Sequence, residues 1–321
     1  MLNKLQQKLG DVKTDEPMAQ HTTFKIGGPA KYFYTAKNSA ELLNAVKIAE
    51  KLKLSYFILG WGSNLLVSDN GYDGLIIKNL SDKLEVQGDE IFVESGVNLS
   101  RLVGLAAQAG LSGLETLAGI PGTVGGAAFG NAGAYGISIG KLVKEVEIYQ
   151  NGKVKKLSQT EMQYDYRNSI LKSQPGIVLS VTVKLQPGDK KEIHNKVIEL
   201  ISERNQKLPA EPSAGCIFKN IKLGKVDIDK QRFMKELEIT EAEWQKATMH
   251  GKLSIAFILD RLGLKGKTIG GCQISEKQAN FFVNIGNAKA EHVIMLISEV
   301  KMRVRNQLVV QLEEEIRYLG F

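Results

Sequence analysis

Residues 110–140 read GLSGLETLAGIPGTVGGAAFGNAGAYGISIG. Ten of these 31 residues are glycine, five are alanine, and Glu115 is the only charge. Glycine gives up more backbone freedom on folding than any other residue, so a stretch this rich needs a compensating purpose. A flexible linker is one reading. Linkers, however, are built of Gly and Ser and lack Leu114, Leu117, Ile120, Val124, Phe129, Tyr135 and Ile137. The other reading is a buried loop against a flat or phosphorylated ligand, where no Cβ obstructs approach and bare N–H groups serve as donors. The composition favours the buried loop.

A chain of 321 residues has room for two or three domains with ample core. No run approaches the roughly 18 apolar residues of a membrane span. The opening, MLNKLQQKLGDVKTDEP, lacks the apolar centre of a signal peptide, so no membrane partner is expected. Cys216 and Cys272 are the only cysteines and lie far apart, which argues against a disulfide framework and fits the cytoplasm. The net charge of +7 raises nucleic acid as a partner. Yet the basic residues mostly neighbour acids, with no Arg/Lys run interleaved with aromatics and no zinc-finger or other metal spacing. A diffuse positive balance equally suits an enzyme of anionic small molecules.

Hydrophobic patterning divides the chain at about 1–80, 81–206 and 207–308, with 309–321 as a returning strand. In the first part Asn38 and Glu41 read as a helix start, followed by Leu42, Val46, Ala49 and Leu52 at helical spacing. Strand-like runs at IFVES, VEIYQ and IVLSVTVKL mark the second part. A helix at about 190–206 is expected to bury Ile193, Val197, Ile198 and Ile201. The third part is α+β and ends in a helix at 290–308 with Val293, Leu296, Ile297, Val300, Val304 and Leu308 on one side. The last segment, VVQLEEEIRYLG, must pair with something earlier. Period two there puts Leu312, Glu314, Ile316 and Tyr318 on one face and Glu313, Glu315 and Arg317 on the other.

Several residues have both a chemical and a bland reading. The turn LGWGSNLLV offers Gly60, Gly62, Ser63 and Asn64 as a pyrophosphate cradle, although a structural hairpin fits equally. Its spacing departs from the dinucleotide fingerprint at Leu65. With GIPGTVGGA as a second glycine turn along the same ligand, the cradle gains weight. Arg167, among the aromatics of YDYRNS, reads as an arginine stacked on tyrosine or paired with Asp165. Cys216 reads as a small buried cysteine, and Glu315 as part of a solvated face.

Seven ordered blocks carry a resemblance over nearly the whole length. They are TTFKIGGPAKYF, LGWGSNLLV, LETLAGIPGTVGGAAFGNAGAYG, YDYRNS, PSAGCIFKN, LDRLGLKGKTIGGCQISEKQANFFVN and LEEEIRYLG. In these the chain resembles the UDP-N-acetylenolpyruvoylglucosamine reductases, flavoenzymes of peptidoglycan precursor synthesis, in their shorter subgroup. The resemblance implies an α+β fold. A two-part FAD-binding unit of the vanillyl-alcohol-oxidase-like type (1–80 and 81–206) would precede a substrate-binding domain at 207–308. It further implies non-covalent FAD, NADPH as co-substrate and a monomer. FAD would be held by Gly60, Trp61, Gly62, Ser63, Asn64, Thr116, Gly119, Ile120, Pro121, Gly122, Thr123 and Gly126. Tyr135, Lys219, Asn220 and Gln278 fall on or near nucleotide-sugar positions, and Arg167, Cys216 and Glu315 on the catalytic ones.

The implied chemistry suits these residue types. An enolpyruvyl ether is an electron-rich alkene, poorly disposed to accept hydride unless its carboxylate serves as electron sink. Arg167 would supply a permanent charge and a bidentate fork. Glu315 would share a proton with the carboxylate, and Cys216 would protonate the carbon after hydride arrives. Three departures stand out. Cys216 occupies a position often held by serine, Trp61 one usually small or polar, and 221–252 exceeds the usual link and reads as a charged helical insertion, a surface decoration or a lid. Two alternatives remain: another FAD oxidoreductase of the same fold, and a non-catalytic nucleotide-binding protein.

Overall fold

The computed structural model describes residues 1–321, apart from the side chain of His250. The chain forms two compact units, each assembled from separated segments. The first comprises Met1–Glu16, Ala30–Trp61 and Tyr72–Gln206; the second comprises Pro17–Pro29, Gly62–Gly71 and Lys207–Phe321.

Two sheets build the first unit. One has the order Val12–Pro17, Pro29–Ala36, Tyr72–Asn79, Tyr56–Leu59, and its last three strands run parallel. Parallel neighbours need a crossover, and the helix Ser39–Lys51 provides it, burying Leu42, Ala45, Val46 and Ala49. Asn38 caps that helix by accepting from the Glu41 N–H, while the Glu41 carboxylate takes the Lys37 N–H. The central strand Tyr72–Asn79 is covered on both faces, so Leu75, Ile76 and Ile77 are buried in succession.

The other sheet is antiparallel and five-stranded: Lys153–Ser158, Val143–Gln150, Ile177–Lys184, Glu90–Glu94, Leu84–Gln87. Its core joins Val93, Val146 and Val181 to Leu102 and Ala106 of the helix Leu99–Ala109 and to Val124 and Ala128 of the helix Val124–Gly130. The helix Lys190–Lys207 buries Ile193 and Leu200, whereas Ile198 is 54% and Ile201 37% exposed. The expected stripe is therefore rotated. Ile193, Val197 and Leu200 face inward, which is the i, i+4, i+7 row, and the remaining isoleucines stay outside.

The second unit is built on a four-stranded antiparallel sheet ordered Ser213–Cys216, Phe281–Asn284, Cys272–Ile274, Thr268–Ile269. The helix Ala290–Leu308 buries the six residues its periodicity predicts, Val293, Leu296, Ile297, Val300, Val304 and Leu308. Near the C-terminus regular pairing is confined to Arg317–Leu319, parallel to Leu65–Val67. A bend at Ile316 breaks the expected alternation: Leu312, Ile316 and Leu319 are buried, while Arg317 and Tyr318 are both exposed.

Segment 221–252 is neither charged throughout nor a loose decoration. The pairs Ile221–Lys222 and Lys252–Leu253 close it as an antiparallel ribbon. Between them lie the helices Lys230–Glu236 and Glu241–Ala247, the second begun by a Thr240/Glu243 capping box. Phe233, Leu237, Ile239, Trp244 and Ala247 join the core of the second unit, with the Phe233 and Trp244 rings edge-to-face at 5.9 Å. Apolar side chains spaced among the charges make this part of the domain.

Candidate active site

The expected residues divide between the two units. Gly60, Trp61, Thr116, Gly119, Ile120, Pro121, Gly122, Thr123, Gly126, Tyr135 and Arg167 belong to the first. Gly62, Ser63, Asn64, Cys216, Lys219, Asn220, Gln278 and Glu315 belong to the second.

Within the first unit the two glycine turns meet. A Cβ on Gly60 would stand 2.7 Å from the Thr123 hydroxyl oxygen, so only glycine fits at that approach. Thr123 is the N-cap of the helix Val124–Gly130, and its hydroxyl accepts from the Gly126 N–H at 3.2 Å. Gly122 adopts φ +139°, a conformation that L side chains rarely take. Gly125 is pressed on Ser95, whose carbonyl accepts its N–H at 2.8 Å. By contrast, the N–H groups of Gly119, Gly122 and Thr123 donate to no acceptor among the described residues. The Thr116 hydroxyl is buried with no hydrogen-bond partner. Unused donors on a glycine-lined path, with an orphaned buried hydroxyl beside them, fit a phosphate-bearing cofactor. Trp61 is 46% exposed and does not enter the core.

Arg167 sits at the tip of a tight turn in which Asp165 and Asn168 exchange backbone bonds of 3.2 and 3.0 Å. Its φ is +51°, an uncommon conformation for a residue with a side chain. One guanidinium nitrogen donates to the Gly133 carbonyl at 3.0 Å, and the group lies 5.6 Å from the Tyr166 ring centroid. The stacking reading thus holds, and the same guanidinium is anchored to the glycine-rich segment through Gly133. Tyr135 also has positive φ (+51°), followed by Gly136 at +80°, in the turn joining Gly133–Ala134 to Ile137–Ser138. Two successive positive values make a primed hairpin turn. That turn leaves Tyr135 49% exposed, beneath the Arg204 guanidinium at 5.6 Å.

In the second unit Cys216 and Glu315 lie on adjacent chain segments. The Glu315 N–H donates to the Ile217 carbonyl at 2.7 Å, and the Lys219 N–H to the Glu313 carbonyl at 2.9 Å. Gly215 at φ +79° and a bulge between Ser213 and Cys216 re-aim the strand at the thiol. Cys216 is half-buried, whereas Cys272 is buried and its thiol is pushed up to about 12 by that burial. The Asn64 amide donates to the Glu315 carbonyl at 3.1 Å, tying the LGWGSNLLV turn to the terminal segment.

Three expected substrate positions are otherwise engaged in part. Lys219 pairs with Glu313. The Asn220 side chain accepts the Ile255 N–H at 3.1 Å, at the start of the helix Ile255–Arg261. Gln278 accepts the Asn280 N–H at 3.2 Å. Sequence reasoning gave no role to Asn280. It is 2% exposed, and its amide clamps Phe218 by accepting from the N–H at 3.0 Å and donating to the carbonyl at 2.8 Å. Its one signal was an amide between apolar residues in QANFFVN.

Two family models match separate parts of the chain. Residues 30–158 match the family described as FAD binding domain. Residues 206–319 match the family described as UDP-N-acetylenolpyruvoylglucosamine reductase, C-terminal domain. The UDP-N-acetylenolpyruvoylglucosamine reductase of Clostridium kluyveri is 37% identical over 313 residues, covering 97% of this chain and 93% of the relative. That of Halalkalibacterium halodurans is 35% identical over 317 residues, covering 98% and 96%. A solved UDP-N-acetylenolpyruvylglucosamine reductase from Thermus caldophilus superposes with a TM-score of 0.74 at 31% identity, covering 97% of this chain and 98% of its own. With its paired glycine turns and its Cys216–Glu315 crossing, the chain belongs to the UDP-N-acetylenolpyruvoylglucosamine reductase family.

Proposed function

We propose that Arg167, Cys216 and Glu315 carry out the second half of a two-step reduction, with NADPH as the source of electrons. The protein is an FAD-dependent UDP-N-acetylenolpyruvoylglucosamine reductase of peptidoglycan synthesis. FAD, when bound, supplies hydride to the methylene carbon of the enolpyruvyl ether. Everything else falls to the chain. Arg167 meets the substrate carboxylate with a planar fork and holds the charge that develops there. Glu315 shares a proton with the same carboxylate, since a bare anion would repel it. Cys216 gives its proton to the carbon bearing the ether oxygen and is reprotonated from solvent. Thiols as a class, with a reference pKa of about 8.5, are far more acidic than aliphatic hydroxyls.

The single observation that carries this reading is the bond from the Glu315 N–H to the Ile217 carbonyl, which ties the two expected acid groups to neighbouring backbone. The FAD contacts fall to 59–64 and 116–126. Neither segment contains His or Cys, which supports non-covalent attachment. Acid precipitation should release all of the yellow chromophore as FAD. Colour left in the pellet contradicts that attachment.

Cys216→Ala tests the mechanism. The variant should fold, hold FAD and accept electrons from NADPH, yet reoxidise about 10²–10⁴-fold more slowly on adding the enolpyruvyl nucleotide sugar. Cys216→Ser should recover much of that loss. Single-turnover reoxidation near the native rate in Cys216→Ala removes the thiol from the chemistry.

A further inference from the structure

Lys78 is half-buried at the penultimate position of the central strand Tyr72–Asn79. It follows the buried run Leu75, Ile76 and Ile77 on the central strand and stands in register with Thr35 on one side and Leu59 on the other. Its ammonium donates to the Gly60 carbonyl at 2.6 Å. No carboxylate pairs with it among the described residues. Burial lowers its pKa to about 8, with no neighbouring charge to offset the loss of water. A desolvated cation whose protein partner is a neutral carbonyl is costly, and such charges are normally balanced by an anion.

The partner it does have is informative. Gly60 opens the LGWGSNLLV turn and rests against Thr123, the cap at the second glycine turn. We propose that Lys78 is the positioning counter-charge of the cofactor's diphosphate: it draws the Gly60 carbonyl inward, and its own charge is balanced only when the diphosphate occupies the turn. This rests on the assignment of 59–64 to the FAD diphosphate. Lys78 acts through Gly60 rather than on the reacting atoms, so its removal should change how FAD is held and not the hydride chemistry. The arrangement also gives a purpose to a half-buried lysine at this strand end: an apolar residue there would leave the diphosphate to backbone dipoles alone.

The test uses the full-length holoenzyme, with FAD dissociation followed by flavin fluorescence on dilution at several NaCl concentrations. Lys78→Met should raise the Kd for FAD about 10- to 100-fold, the worth of one charge-assisted contact. It should also flatten the increase of Kd with salt, because one attraction that salt screens has gone. Lys78→Gln keeps a donor for Gly60 without the charge and should show the same flattened salt dependence. Lys78→Arg should restore most of the affinity and the salt slope. A Kd within twofold of native in both neutral variants overturns the proposal. So does weakened binding with an unchanged salt slope and no rescue by arginine, which marks a purely structural lysine. Gly60→Ala separates the two levels of the argument. If it weakens FAD binding while the neutral lysine variants do not, only Lys78 loses its role. If it too leaves FAD binding intact, the turn is not the diphosphate site.

Discussion

The glycine-rich segment of the first unit and the crossing around Cys216 in the second solve opposite problems. The first removes side chains. Gly60 and Gly122 tolerate approaches and dihedrals closed to other residues, leaving N–H groups of the loop unspent. The second ties down the backbone next to Cys216 with specific bonds. Ile217 and Lys219 bond to Glu315 and Glu313, and the buried Asn280 amide takes both polar groups of Phe218. A cofactor held by many weak backbone contacts can be read in composition. A backbone clamp such as Asn280 on Phe218 leaves little trace in the sequence.

Substitutions in each region test this contrast. Glu315→Gln should have the largest effect, lowering reoxidation by the enolpyruvyl substrate about 10²–10⁴-fold, as loss of a positioned acid does, with little change in substrate affinity. Flavin reduction by NADPH should survive, because no enolpyruvyl carboxylate takes part in it. Equal slowing of both half-reactions would indicate that the terminal segment is structural.

Asn280→Ala comes next. It strands a buried N–H and a buried carbonyl on Phe218, a loss of about 2–6 kcal/mol at 1–3 kcal/mol per unpaired group. Urea denaturation should show a lower midpoint, and Cys216-dependent reoxidation should slow while FAD stays bound. An unchanged midpoint would mean the clamp contributes nothing.

Gly122→Ala probes the other region. A side chain at φ +139° costs about 1–3 kcal/mol of backbone strain. The strain should appear as weaker FAD retention in fluorescence titration, with the rate of the protonation step unchanged in flavin-loaded molecules. If protonation slows instead, the two regions are not separable.

The smallest effect concerns Cys272, the control for Cys216. Its thiol is raised from 9.0 to about 12 by burial, so the native state keeps the proton longer than the unfolded chain. Stability from this group is complete below about pH 9 and is lost as pH rises toward 12. Denaturation midpoints of native protein and Cys272→Ala should therefore converge between those values, with turnover near normal in the variant. A constant gap across that range would contradict the assignment.

Sequence legibility followed the same division. The helix Ala290–Leu308 was readable to the residue because six apolar side chains repeat at helical spacing against one core. The helix Lys190–Lys207 misled, since Ile198 and Ile201 are apolar but exposed and the buried row runs through Leu200. The terminal segment misled because alternation presumes regular pairing, and the bend at Ile316 ends it. At the site, the glycine turns announced themselves, whereas Arg167, Cys216 and Glu315 gained meaning only from the pattern of blocks around them. Asn280 was invisible because its function is to satisfy two backbone groups whose need for a partner exists only in the fold.

The most direct test of the whole account is the visible spectrum of the purified protein through one anaerobic cycle. The protein should be yellow, its flavin band should bleach on adding NADPH, and the band should return when the enolpyruvyl nucleotide sugar is added after the nicotinamide is removed. A colourless protein, or a bleached flavin that the enolpyruvyl sugar fails to reoxidise, would contradict it.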